Sequence, residues 1–143
     1  MLSTSEPALP PIPQWQVNAT RFVFLLIALV MGSIVWRQVL FESAEWDVMR
    51  GLAKAMLAAL ALLSVWGVRY PIQMLPLMLF EIAWKTIWII LIAGRAWMND
   101  KWTPEIEALF FDCIGIIISY FITPWRYVWA KYVKAPMEPL FRA

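Results

Sequence analysis

The run from Ile72 to Ala93 is long and apolar enough to cross a bilayer, yet it carries Glu81 and Lys85 one helical turn apart. As a helix it would rise about 33 Å at ~1.5 Å per residue, against roughly 30 Å of hydrocarbon, which puts the pair near the midplane. Glu precedes Lys by four residues, the order that best lets the two side chains meet on one helix face. On an insertion scale each charge costs roughly 2.5 to 3.5 kcal/mol at a helix centre, while about ten Leu, Ile and Phe residues return some 0.3 to 0.6 kcal/mol each. The sums nearly cancel. Such a helix is marginal alone, so Glu81 and Lys85 are expected to point into a bundle or a subunit interface, and ionisable residues placed there mark a functional site by default.

Three further apolar runs accompany it: Phe22 to about Phe41, interrupted late by Arg37 and Gln38; Gly51 to Val68; and Ile106 to Ile122. Hydrophobic residues make up 62% of the 143-residue chain and charged ones 15%, with a mean hydropathy of +0.67, far too apolar for an ordinary soluble domain. Most of the ten Trp flank the runs, where indole rings anchor helix ends at headgroups. Short connections force sequential helices to run antiparallel. The expected fold is all-α: four transmembrane helices in an up-down-up-down bundle over residues 21–123, with both termini on one side.

The side follows from the basic residues. One face carries Arg21, Arg69, Arg126, Lys131, Lys134 and Arg142 against Glu6 and Glu138. The other carries Arg37, Arg50, Arg95 and Lys101 against Glu42, Glu45, Asp47, Asp100, Glu105 and Glu107. By the positive-inside rule the termini and the Arg69 to Pro71 turn are cytoplasmic. Residues 1–20 contain Pro7, Pro10, Pro11 and Pro13 and are expected to form an extended cytoplasmic arm. That arm has no basic stretch before an apolar one and does not read as a signal peptide, so the first membrane helix would serve as its own insertion signal. Asn18-Ala19-Thr20 fits a glycosylation acceptor but falls on the cytoplasmic side, and we read it as a chance match. Over residues 124–143, Thr123-Pro124 breaks the fourth run, and Trp125, Val128, Trp129 and Tyr132 then recur on one helical face with Arg126, Ala130 and Lys134 on the other. A short amphipathic helix lying in the headgroup region is expected, with Trp125, Arg126, Trp129, Lys131 and Lys134 as its anchors.

Two more charges fall inside the runs. Asp112 lies seven residues in from Glu105, and Lys85 lies eight in from Ala93 at the same end, so antiparallel neighbours would hold them at similar depth. Asp112 also falls on one ideal helix face with Gly115, Ser119 and Thr123. Lys54 enters from the same side, three residues after Gly51, to reach Asp112 or Glu81 or to snorkel outward. Glu81, Lys85, Asp112 and Lys54 are therefore expected to form one neutral network. It would either fix helix register, relay a proton or ion, or bind a polar headgroup. Trp84 and Trp88 sit next to the charged pair; Trp88, three residues from Lys85, could stack against the ammonium, against the plainer role of facing lipid or filling the bundle. Gly51, Ala55 and Ala59, at four-residue spacing with Ala58 and Ala61 nearby, and Gly115 on the fourth helix form stripes suited to close packing.

The segments YPIQMLPLMLFEIAWKTIW, from Tyr70 to Trp88, and PWRYVW, from Pro124 to Trp129, resemble stretches of small four-helix bacterial inner-membrane proteins with no assigned activity. The resemblance spans about the C-terminal half and implies a multipass topology, with no catalytic or binding residue to carry over. The chain has no His and a single Cys, Cys113, which removes the usual imidazole ligand, general base and intrachain disulfide. It also has no Gly-rich phosphate loop and no nucleophile elbow. A lipid enzyme would have to work with carboxylates alone. A net charge of +2 gives no reason to expect nucleic acid. The reading is a non-enzymatic accessory or structural subunit without cofactor, packed in the bilayer against itself or other membrane subunits. The competing reading is a small oligomeric transporter or channel built around Glu81, Lys85 and Asp112.

Overall fold

The structure, a computed structural model, describes residues 8–141, apart from the side chain of Ser43. Glu6 and Arg142, which entered the charge balance, and residues 1–7 of the expected arm lie outside the described residues. Helix accounts for all the regular structure among the described residues: α1 (Gln14–Phe41), α2 (Val48–Arg69), α3 (Leu75–Met98), α4 (Pro104–Ile122) and α5 (Trp125–Lys134), with a single 3-10 turn at Ser43–Glu45 between α1 and α2. α1, α2 and α3 are each long and apolar enough to cross a membrane, and there are up to four such spans if α4 and α5, bent by 78° against each other, are taken as one.

Local chemistry sets the ends. The Asp47 carboxylate accepts from the Arg50 N–H at 2.6 Å to start α2, and the Thr103 hydroxyl accepts from the Ile106 N–H at 3.3 Å to start α4, with Pro104 in its first turn. α3 stops in a Schellman turn, in which Lys101 N–H reaches the Ala96 carbonyl at 2.8 Å and Asp100 takes the left-handed conformation at φ 54°. A short polar side chain tolerates that region, whereas a β-branched one does not. Asp100→Val should therefore destabilise the protein by about 1 to 2 kcal/mol, measured by reversible unfolding in mixed micelles.

α1 begins at Gln14, so residues 14–20 belong to the first helix and not to an extended arm. The polar residues of that stretch are used within the helix or against its neighbour. Gln14 donates to the Asn18 side chain, Thr20 turns back to the Gln16 carbonyl, and Arg21 donates to the Val68 carbonyl at 3.0 Å near the end of α2. Arg21 thus satisfies one of the carbonyls that a helix end leaves without an intrahelical partner. α1 and α2 are antiparallel along their length: Phe24 lies against Gly67, Gly32 against Ala61, and Trp36 Nε1 donates to the Ala58 carbonyl at 3.1 Å. α3 and α4 form a second antiparallel pair, with the first half of each helix meeting the second half of the other. Contacts of Gln14–Leu26 with Ile116–Ile122, and of α2 with Leu75–Ile87, join the pairs. The buried cluster of Phe24, Met78, Ile82 and Ile116 lies at this junction.

Three helices carry π-helical stretches, Ile27–Met31 and Trp88–Ala93, each followed by a glycine, and Ala130–Lys134 at the end of α5; α4 has an irregular turn at Gly115. The surface area is 10903 Å², against about 7,600 Å² for a compact soluble monomer of 16.6 kDa. Much of the excess is apolar. Leu29, Ile34, Leu62, Ile90, Ile118 and Phe121 are all exposed.

Candidate functional site

Glu81 is 2% exposed, on the face of α3 that buries Met78 and Ile82. Burial of a carboxylate demands compensation, and α3 supplies it within one turn. Lys85 Nζ lies 2.5 Å from Oε1, and Trp84 Nε1 donates to Oε2 at 2.8 Å. The Lys85 ammonium also sits 5.6 Å from the Trp84 ring centroid. Trp84, and not Trp88, is therefore the indole that serves the pair, through its N–H to the acid and its ring to the base. Its three-residue offset from Glu81 is visible in the sequence, but a Trp beside a charged pair in an apolar run reads equally as lipid-facing or bundle-filling, and the cation contact is expected there of Trp88.

Glu81 is the seventh of 24 residues in α3, so the helix rises about 9 Å before reaching it, on the side of the 70–74 turn. Lys85 follows about 6 Å further on, near the middle. Beside the pair, Thr86 and Tyr120 share a 2.5 Å hydrogen bond between α3 and α4. Cys113 is buried on the inner face of α4.

The other two expected members of the network stand apart. Asp112 is exposed, and among the described residues the only ion pair is Glu81–Lys85. The irregular turn at Gly115 explains the difference. There Ile118 N–H bonds to the Gly115 carbonyl at 3.1 Å, three residues back, which tightens the helix. Across that turn the buried face runs Cys113, Ile116, Ser119 and then Thr123, at three-residue steps before the last, so Asp112 and Gly115 rotate off it. Depth differs too. Helix α3 continues to Met98, leaving Lys85 about 20 Å from that end, whereas Asp112 is about 12 Å from the start of α4. Lys54 is half-buried at the start of α2. It forms no ion pair with Glu81: Lys54 lies about 22 Å along α2 from its Arg69 end, whereas Glu81 is about 9 Å into α3 from that side.

The small-residue stripe is likewise displaced. Ala55 and Ala59 are exposed, and a side chain added at Gly51 or Gly115 would meet nothing within 4 Å. The face of α2 that packs on α1 is instead Ala58, Ala61, Ser64 and Gly67. Both stripes are equally small, and the sequence alone offered no reason to prefer the second.

At the far end of α4, Trp125 Nε1 donates to the Tyr120 carbonyl at 2.7 Å and stacks on the Tyr120 ring, holding the 78° bend after Thr123. Trp125, Arg126 and Trp129 of α5 are exposed, Lys134 too, while Lys131 is half-exposed and Val128 is buried. A groove of about 540 Å³ runs between α5 and Pro10, lined by Trp125, Arg126, Trp129 and Lys134 among others. At the opposite end, Ala93, Gly94, Trp97, Trp102 and Phe110 line an apolar groove of about 610 Å³ between α3 and α4. Among the described residues, no three His, Cys, Asp or Glu side chains come together as a metal site. No family model, curated protein or solved structure matches the chain, so its functional reading rests on its own residues.

Proposed function

We propose that this chain is a multipass integral membrane protein of a bacterial inner membrane, acting as a non-enzymatic accessory or structural subunit of a membrane complex or a homo-oligomer. In this reading α1 to α4 cross the bilayer up, down, up and down, with N- and C-termini cytoplasmic. Helix α5 lies in the headgroup region of the cytoplasmic leaflet, its Trp rings and basic residues set among the lipids. The observation that carries the reading is the exposed apolar surface: side chains such as Leu29, Leu62, Ile90 and Phe121 need lipid or other helices around them. The Glu81–Lys85 pair, closed by Trp84 within its own helix, then serves to fix how α3 meets α4.

One observation favours the second reading, a small oligomeric transporter or channel. Lys85 keeps 16% exposure and remains open to a neighbour. Purification from native membranes in a mild detergent tests the subunit role. We expect the chain to run with further copies or with other membrane proteins at fixed stoichiometry. A chain that runs alone as a monomer contradicts it.

A further inference from the structure

Asp112 is the ninth of the 19 residues of α4, a carboxylate at the centre of a helix just long enough for the hydrocarbon, and it is exposed. An ionised side chain facing lipid at that depth is unfavourable enough that such residues almost always meet a partner. Lys54 poses the complementary problem. It is half-buried near the start of α2 and belongs to no ion pair among the described residues.

Their positions match. Helices α2 and α4 both start at the same end of the molecule, since α1 is antiparallel to α2 and the start of α1 packs against the end of α4. Lys54 is then about 9 Å from that end and Asp112 about 12 Å, at ~1.5 Å per residue. Two copies in one bilayer share their orientation, so α2 of one and α4 of the next would run parallel with these depths preserved. The surfaces next to both charges are low. Gly51 and Ala55 flank Lys54, Gly115 is one turn beyond Asp112, and added side chains at Gly51 and Gly115 would meet nothing within 4 Å. Small residues of this kind let helix backbones come close enough for short side chains to pair.

We propose that Asp112 pairs with Lys54 of a second copy of this chain, across a contact between α4 of one copy and the Gly51–Ala55 edge of α2 of the other. The assignment deepens the reading of the chain as a laterally packed membrane subunit and rests on it. Charge complementarity selects the occupant: each copy carries both halves of the pair, unpaired with each other within the copy and level with each other between copies.

The test uses the full chain in lipid nanodiscs and mild detergent, with oligomer populations read by native mass spectrometry and helix content by circular dichroism. Asp112→Lys or Lys54→Asp alone should lower the oligomer population at least tenfold, and the two substitutions in one chain should restore it to within about twofold of the original. Mixing the two singly substituted proteins should restore it as well. On a Cys113→Ser background, Ala55→Cys in one copy should form a disulfide with Gly115→Cys in another. Oligomers unaffected by either charge reversal overturn this contact while leaving the subunit reading intact. A doubly exchanged chain that folds, by its helix content, but stays dissociated also overturns the contact. A protein that is monomeric before any substitution overturns both.

Discussion

Lys85→Met should destabilise the protein by about 3 to 5 kcal/mol, the largest effect of any single substitution in α3. The substitution leaves Glu81, 2% exposed, with its Trp84 hydrogen bond but without a counter-charge. Such a loss can exceed much of a small protein's total stability, so the variant should show a strongly reduced unfolding midpoint in mixed micelles. Glu81→Gln in the Lys85→Met background removes the stranded charge while keeping an acceptor for Trp84. That double variant should regain most of the loss, because replacing both members of a buried pair is often close to neutral. The same proteins separate the two functional readings. A purely structural pair leaves assembly and any activity intact in the double variant, whereas a relay through Glu81 loses flux in a protein that stays folded.

The second large effect lies at the α1–α2 contact. Gly67→Val places a Cβ 2.6 to 2.7 Å from the Cδ atoms of Phe24 and closer still to its Cγ, and Phe24 is fully buried. The ring cannot swing away without displacing Met78, Ile82 and Ile116, against which it packs. Overpacking of this kind costs about 3 kcal/mol. The strain should also loosen the neighbouring hydrogen bond from Arg21 to the Val68 carbonyl. Phe24→Ala in the same chain supplies room for the valine side chain. The double variant should therefore cost clearly less than the sum of the two single ones in a micelle unfolding cycle, a coupling that distant sites do not show.

The helices themselves were readable from the apolar runs, which overlap α1 to α4 and differ from their ends by at most eight residues, the run from Ile72 starting three residues before α3. Local chemistry explains the largest miss. Gln14, Gln16 and Asn18 directly follow the Pro-rich stretch that disfavours helix, yet they extend α1, where Gln14 donates to the Asn18 side chain. Glu81 and Lys85 stood out because charge inside a long apolar run has few explanations. Their separation by four residues was enough to pair them. The faces of α4 and α2 could not be read in the same way. An ideal helical wheel puts Asp112 beside Ser119 and Thr123, but one tight turn at Gly115 rotates the two halves of α4 relative to each other, leaving Asp112 exposed and burying Cys113. On α2, Gly51–Ala55–Ala59 and Ala58–Ala61–Ser64 are alike in size. Only the positions of Phe24, Gly32 and Trp36 on the facing helix select the second.

Above all, we propose that α2 and α3 cross the bilayer in opposite directions, with the 70–74 turn between them on the cytoplasmic side and α1 and α4 completing a four-span bundle. Single cysteines introduced at Glu45, Gln73 and Asp100 on a Cys113→Ser background, probed with a membrane-impermeant maleimide in intact spheroplasts, test it directly. Glu45→Cys and Asp100→Cys should label from outside, and Gln73→Cys only after permeabilisation. Labelling of Glu45→Cys and Asp100→Cys from opposite sides, or of all three from the same side, would contradict it.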